Sequence, residues 1–403
     1  MILKYCKMWW GIFCLTLCLG KSECYGKEET LEQQLFAQSA VLMDGESGRV
    51  LYDKNGNEFK ANASTTKILT CILALEKAGL EDLVSVSSYA ASMPDVQMHI
   101  REGEQYRMED LLYALMLESY NDVAVAIAEH IAGSQEKFSL LMNQKAKEIG
   151  CTNTLFLTPN GLDATQNGNE EIFHGTTAKD LAFIMRYCIN ISPQKEKFIQ
   201  ITSAASHTLS DFSGARNFQC RNHNTLFQLM EGVVSGKTGF TGKAGYCYVG
   251  VVEREGKQYI LALLACGWPS NRNYKWQDCK TLISYGDKEY EKISLEQILK
   301  KHEEEFKSVV KDAKRENLQE ELCVQLVRKN NKVGSVLKRA TEEIRCEIHK
   351  NELSAPIKKG QIIGELIYYI DNEVWTKEWL YSDEDIEKID FIWSLERIIA
   401  KIV

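Results

Sequence analysis

Only five prolines and seven histidines occur in 403 residues, and no C-x-x-C, H-E-x-x-H or other clustered Cys/His spacing is present. Scarce proline and the lack of any repeat exclude collagen-like and proline-rich classes. Without clustered ligands the zinc geometries have nothing to build on, so no metal and no cofactor is expected. No basic stretch offsets 56 acidic against 48 basic residues, a formal net charge of −8, which argues against nucleic acid as a partner. Long apolar runs are missing too. The run MWWGIFCLTLCLG at 8–20 is short for a bilayer span. Multi-span membrane and coiled-coil classes are therefore excluded.

What is present is a globular composition, 44% hydrophobic and 26% charged, on a chain long enough for two or three domains. Lys4 and Lys7 precede the short apolar run, and residues 21–30 turn polar. This predicts an export signal peptide over 1–24, cut after Gly20 or Cys24, with an uncleaved N-terminal anchor as the alternative. Of the 13 cysteines, Cys6, Cys14 and Cys18 precede both possible cut sites of that leader and the others are scattered. Cys71, Cys247 and Cys266 sit in apolar runs, as buried free thiols do.

The patterning divides the remainder into four parts. SAVLMD (39–44) and RVLYDK (49–54) flank a Gly-containing turn and read as a hairpin. STTKILTCILALEKAG (64–79) is apolar nearly all round from Ile68 to Leu75, the mark of a helix buried within a domain. Residues 108–131, 134–150 and 180–188 also read as helical. Strands return at 231–240, 244–255 and 257–266, followed by a helix over about 273–285. Two early strands and three late ones imply one antiparallel sheet closed from both ends, an α+β fold with a helical lobe. These make a catalytic domain over 30–287. Residues 288–383 change texture: a charged stretch at 291–320, readable as helix or irregular strands, precedes short β-like pieces, giving a small β-rich domain. Residues 384–403 form an amphipathic pattern, with Asp390, Ser394, Arg397 and Lys401 on one face and Ile386, Ile389, Ile392, Trp393, Ile399, Ile402 and Val403 over the rest. Such a helix lies in a membrane interface.

S-x-x-K occurs five times, at Ser64, Ser134, Ser192, Ser308 and Ser335. Only Ser64-Thr65-Thr66-Lys67 stands at the mouth of the buried helix, where i, i+3 spacing puts both side chains on one face. A desolvated lysine there loses its proton and can accept one from the serine. Ser64 alone could equally be an N-cap. Two further motifs decide between these readings: Ser119-Tyr120-Asn121, the one S-x-N, on the loop side of the helix after 111–118, and Lys237-Thr238-Gly239, the one K-T-G, on a strand. The ordered set S-x-x-K, S-x-N, K-T-G serves penicillin-recognising serine enzymes.

With these motifs the chain resembles the serine D-alanyl-D-alanine carboxypeptidases, the low-molecular-weight penicillin-binding proteins. ANASTTKILT (61–70), LLYALMLESYNDVAVAIAEH (111–130), FLTPNGLD (156–163), HGTTAKDLA (174–182), GVVSGKTGFTGKAGYC (232–247) and APIKKGQIIGEL (355–366) match family blocks in family order. The resemblance implies a β-lactamase/transpeptidase-like fold, with a five-stranded antiparallel sheet flanked by helices and a C-terminal β-rich domain. It also implies roles. Ser64 is the nucleophile, Lys67 its base, and Ser119 the relay to the leaving amine. Asn121 orients Lys67 and substrate. Lys237 and Thr238 hold the terminal carboxylate, Gly239 admits the substrate backbone, and the N–H groups of Ser64 and Phe240 form the oxyanion hole. Peptidoglycan stem peptides and β-lactams are the implied partners, at the outer face of the cell membrane. Where the family has S-G-N, Tyr120 puts a larger side chain beside the site. Arg272 is a further candidate for the carboxylate, and His174 reads as a structural hydrogen-bonding residue. The alternatives are a serine β-lactamase, disfavoured because no E-x-x-L-N exists in the chain, a D,D-endopeptidase, and a silent wall-binding scaffold.

Overall fold

The structure, a computed structural model, describes residues 30–315, 320–328 and 334–402. The expected leader at 1–24 lies outside these residues. Strands β1 (Ser39–Asp44) and β2 (Val50–Lys54) pair with three late strands, β3 (Val233–Thr241), β4 (Gly245–Arg254) and β5 (Lys257–Leu264), in the order β2-β1-β5-β4-β3. All contacts in this sheet are antiparallel. The two ends of the domain thus meet at the β1–β5 seam, as the patterning predicted.

Alternation along β1 sends Val41 and Met43 into one apolar core and Ala40 and Leu42 into another, because successive side chains leave a strand on opposite faces. The first core holds the helical lobe: α1 (Lys67–Lys77), α2 (Met108–Leu117), α3 (Asn121–Ala132), α4 (Gln135–Ile149), α5 (Ala178–Arg186) and α6 (Lys195–Ser203). Helix α1 runs through its middle, and every residue from Lys67 to Leu75 is buried. The second core is closed by α7 (Tyr274–Glu289), which contributes Trp276, Cys279, Leu282 and Ile283. Expected helix 108–131 is two helices, interrupted at Glu118–Tyr120. Periodicity continues through the break, since both halves face the same core. Helix α6 and the short ribbons 83–107, 165–173 and 206–221 were not foreseen.

The C-terminal part begins with β6 (Tyr290–Ser294) and continues through β7 (Lys307–Lys311), β8 (Cys323–Arg328), β9 (Ser335–Arg339), β10 (Ile344–Lys350), β11 (Leu353–Ser354), β12 (Ile362–Ile370) and β13 (Glu373–Ser382). Six of these form one sheet in the order β10-β12-β13-β8-β7-β11, while β6 pairs with β9. The charged stretch, over 291–311, resolves into a strand, a short helical segment (295–306) and β7. Leu337 of β9 is buried in the second core of the sheet domain. Its N–H donates to Asp44 (3.0 Å) and its carbonyl accepts from Arg49 (2.7 Å), so the two parts are joined by buried contacts rather than by a linker alone.

The final helix, α8, spans Phe391–Ile402. It is shorter than the amphipathic pattern over 384–403: Ile386 is buried and pairs with Ile357 in a β-bridge. The β-domain core claims that isoleucine before the helix starts. No described helix is long and apolar enough to cross a membrane. The nine cysteines among the described residues are unpaired, eight of them buried and Cys323 exposed.

Candidate active site

A one-turn 3-10 helix, Ala63–Thr66, carries Ser64 and runs directly into α1 at Lys67. Ala63, one residue before the serine, has φ +48°, in the left-handed region that costs a side-chain-bearing residue energy. Ser64 Oγ lies 2.8 Å from Lys67 Nζ. Lys67 is fully buried, and its Nζ donates also to Asn121 Oδ1 (3.0 Å) and to the Asn160 carbonyl (2.6 Å). Burial, reinforced by the charge of Lys237 and opposed by Asp122, holds its pKa well below the ordinary lysine value. A neutral amine beside a serine hydroxyl can take its proton.

The S-x-N segment is the break between α2 and α3. Ser119 has φ +70°, a turn that projects its hydroxyl toward the sheet edge. Ser119 Oγ is 3.0 Å from Lys237 Nζ. Asn121 opens α3, and its Nδ2 donates to the carbonyls of Pro94 (3.2 Å) and Asp95 (3.1 Å). That fixes the amide so that its oxygen faces Lys67. The Tyr120 side chain is half-buried against the helical core and does not line the cavity in front of Ser64. The expectation of a larger group beside the site is thereby corrected: the turn that exposes Ser119 sends its neighbour the other way.

Lys237, Thr238 and Gly239 lie on β3, an edge strand. Lys237 is 3% exposed and donates to Ser119 Oγ and the Thr238 carbonyl, both at 3.0 Å. Burial lowers its pKa to about 7. Gly239 is required by contact: a Cβ there would stand 2.9 Å from Ser64 N and 3.0 Å from Asn62 O. Only glycine lets the strand backbone approach the nucleophile's own N–H.

In front of Ser64 lies a cavity of about 580 Å³ whose walls include Val96, Ser119, Thr238, Gly239 and Phe240. All eight residues expected here border this cavity or hydrogen-bond to one that does. Asn121 and Lys67 form the layer behind Ser64, and Lys237 the layer behind Thr238. Arg272 also lines the cavity, together with His223, Thr225 and Lys275, which sequence reasoning passed over. Lys275 carried no usable sign, being one lysine among many charged residues at a helix start. Asn160 lies within FLTPNGLD (156–163), and its contribution is a carbonyl, which no motif of side chains announces. His174 is structural as read. Its Nδ1 accepts from the Leu157 N–H (3.0 Å), so Nε2 carries the proton and donates to Thr66 (2.8 Å). Burial and the nearby Lys67 charge push its pKa down to about 3.

A profile of the D-alanyl-D-alanine carboxypeptidases matches residues 26–266, and one of the penicillin-binding protein 5 C-terminal domain matches residues 324–388. D-alanyl-D-alanine carboxypeptidase DacF of Bacillus subtilis is 32% identical over 96% of this chain and 95% of its own length. Penicillin binding protein 5 from Haemophilus influenzae superposes with a TM-score of 0.67 at 25% identity, over 88% of this chain and 98% of that one. Penicillin-binding protein D2 from Listeria monocytogenes, solved in an ampicillin-bound form, superposes with a TM-score of 0.52 at 26% identity, over 62% and 97%. With the motifs in contact around one serine, the chain belongs to the D-alanyl-D-alanine carboxypeptidase family of hydrolases.

Proposed function

We propose that the protein removes the terminal D-alanine from peptidoglycan stem peptides through an acyl-enzyme on Ser64. The observation that carries this is the 2.8 Å contact between Ser64 Oγ and the buried Lys67 amine. Lys67 takes the hydroxyl proton as Oγ attacks the carbonyl between the two D-alanines. The oxyanion rests on the N–H groups of Ser64 and Phe240, donors fixed before the charge develops. Ser119, hydrogen-bonded to Lys237, passes a proton to the departing amine and receives in its place the one Lys67 took, so that the C–N bond breaks with Lys67 neutral again. Water then attacks the ester with Lys67 again as base. Its proton returns to Ser64, and the shortened peptide leaves as a carboxylate. Asn121 keeps Lys67 aimed, and Thr238 with Lys237 faces the carboxylate side.

Benzylpenicillin would acylate the same serine, its ring nitrogen in place of the leaving amine. Intact-mass measurement of residues 25–403 with benzylpenicillin tests this. A lasting single adduct, absent in Ser64→Ala, is expected. Rapid return of unmodified protein with hydrolysed drug would indicate a β-lactamase, and no adduct with intact drug a silent scaffold.

The domain division 30–287 and 288–383, export by a leader over 1–24, and work outside the cytoplasm belong to the same proposal. So does attachment through the C-terminal helix to the outer face of the membrane. Phe391, Ile392 and Ile398 are 81%, 69% and 57% exposed, an apolar stripe suited to lying in a lipid interface.

A further inference from the structure

The reaction as described uses Asn121 but not the residue that follows it. Asp122 is fully buried in the first turn of α3, a 12-residue helix. Its carboxylate accepts three backbone N–H bonds, from Val123 (2.9 Å), Met98 (3.1 Å) and Ile100 (3.2 Å). Burying a carboxylate is costly unless its oxygens are hydrogen-bonded. Here two of the three donors come from one segment, residues 93–101.

That segment has neither helix nor strand, so its polar backbone groups need partners from outside it. Two neighbouring residues of α3 supply them in opposite senses. Asn121 donates into the segment, from its N–H to the Val96 carbonyl (2.7 Å). Its Nδ2 donates to the carbonyls of Pro94 (3.2 Å) and Asp95 (3.1 Å). Asp122 accepts from the segment, at Met98 and Ile100. Those two residues are buried, whereas Val96 is 53% exposed and forms part of the cavity wall. The three carbonyls that orient Asn121 therefore sit on a stretch with little packing of its own. Arg216 ties it from the exposed side, at the His99 carbonyl (3.0 Å). Asp122 supplies the ties on the buried side.

We propose that Asp122 is a positioning residue for the reaction. By clamping residues 93–101 onto α3 it holds the Asn121 carboxamide, and through Asn121 Oδ1 it keeps Lys67 aimed at Ser64. This rests on the acyl-enzyme reading above and deepens it. The charge of Asp122 opposes the reaction, because an anion near Lys67 favours the protonated amine. Its geometry is what serves: a carboxylate offers acceptors to both N–H groups at once. A carboxamide would meet one of them with a donor of its own.

The test uses Asp122→Asn in residues 25–403, a change that keeps the size, removes the charge and breaks one arm of the clamp. Benzylpenicillin acylation is followed across pH, and rates are compared on the alkaline plateau, where Lys67 is neutral in every variant. There the charge no longer matters and the rate reads aim alone. Asp122→Asn should acylate about 10- to 100-fold more slowly, as loss of a hydrogen bond to a charged group gives. In an Asn121→Ala background the same change should cost less than about threefold, because its route to Lys67 is already cut. An unchanged plateau overturns the proposal. So does an equal loss in both backgrounds, which would mean a packing role independent of Asn121. Asp122→Ser, with one short acceptor, is the second variant if Asp122→Asn does not fold. Hydrogen exchange of the Asn121 carboxamide, read by ¹⁵N NMR in Ser64→Ala, needs no turnover. Adding Asp122→Asn should speed that exchange about tenfold or more, and unchanged exchange overturns the proposal. A wild type that forms no adduct would thus defeat the acyl-enzyme reading while leaving Asp122 separately decided.

Discussion

The carbonyl oxygen of Asn160 lies 2.6 Å from Lys67 Nζ and 3.5 Å from Ser64 Oγ. A backbone acceptor at this place holds the amine without adding a negative charge that would restore its high pKa. The loop that delivers it is pinned by Thr70, whose hydroxyl donates to the Pro159 carbonyl (2.7 Å). It is also pressed against the nucleophile's turn at Gly161, φ +82°, where a Cβ would fall 2.0 Å from Ala63 O.

Gly161→Ala should therefore act on the catalytic turn directly. Both the left-handed backbone and the clash oppose alanine, and a loss of about 1–3 kcal/mol in unfolding free energy is expected. Penicillin acylation should fall further than stability, since the carbonyl of Asn160 moves with the loop. Urea unfolding and adduct formation on one preparation check both; unchanged acylation would refute the coupling.

Lys237 and Lys67 repel each other, and each is buried. Lys237→Met removes one charge, so the Lys67 pKa should rise and the acid limb of the residual acylation rate should move to higher pH. ¹³C NMR of the Lys67 side chain gives the same quantity without turnover. A shift to lower pH would mean that the repulsion is not what depresses Lys67.

The same lysine makes stability depend on pH. Lys237 has a folded pKa of about 7 against an ordinary 10.5. Below pH 7 both states are protonated and the cost of the buried charge is fully felt. Between these values the unfolded chain holds a proton that the folded one lacks, so stability rises with pH. Lys237→Met should gain most over wild type on the acid side, with the gain shrinking toward pH 10. Denaturant midpoints at several pH values decide it; a gain that grows with pH would contradict the sign.

Arg49 forks onto Glu342, with N···O distances of 2.9 and 2.5 Å, while also donating to the Leu337 carbonyl. The pair is largely shielded, each side chain about 15% exposed, so it falls outside the class of freely solvated surface bridges. Glu342→Ala should cost about 1–3 kcal/mol. It should also loosen the β-rich part against the sheet domain, seen as a larger radius of gyration in solution scattering. Penicillin acylation should stay as it was, because Ser64 and its partners lie on other elements.

Removing residues 391–403 should release the protein from membranes into the soluble fraction. Among the described residues, only that helix displays a row of exposed large apolar side chains, Phe391 to Ile399. Fractionation of full-length and shortened protein from the same cells checks this. A shortened protein that still sediments with membranes would place the attachment elsewhere.

Much of this was legible along the chain. The turn-flanked runs at 39–54 and the Val-, Tyr- and Leu-rich runs at 231–266 are local signals, and they were enough to call for one antiparallel sheet. The all-apolar stretch after Lys67 likewise announced a buried helix. The three motifs named Ser64, Lys67, Ser119, Asn121, Lys237 and Thr238 because their chemistry lives in side chains at fixed short spacings. Residue 120 shows where such reasoning stops. The sequence tells that a tyrosine replaces a small residue, but its direction depends on the left-handed turn at Ser119 and on the core beyond it.

Tertiary structure alone decided which groups surround those side chains. A backbone carbonyl from Asn160, 93 residues from Lys67 along the chain, has no signature in sequence, since every residue carries one. Ile386 suited an amphipathic helix by periodicity, yet the β-domain took it because Ile357 offered a partner strand. Lys275 carries no sign in the sequence, and only the packing of α7 against Tyr246 buries it in the cavity wall. Sequence determined which chemistry the chain carries, because that is set by residue type and local period. Folding decided how each group is charged and aimed, because burial and long-range contacts set both.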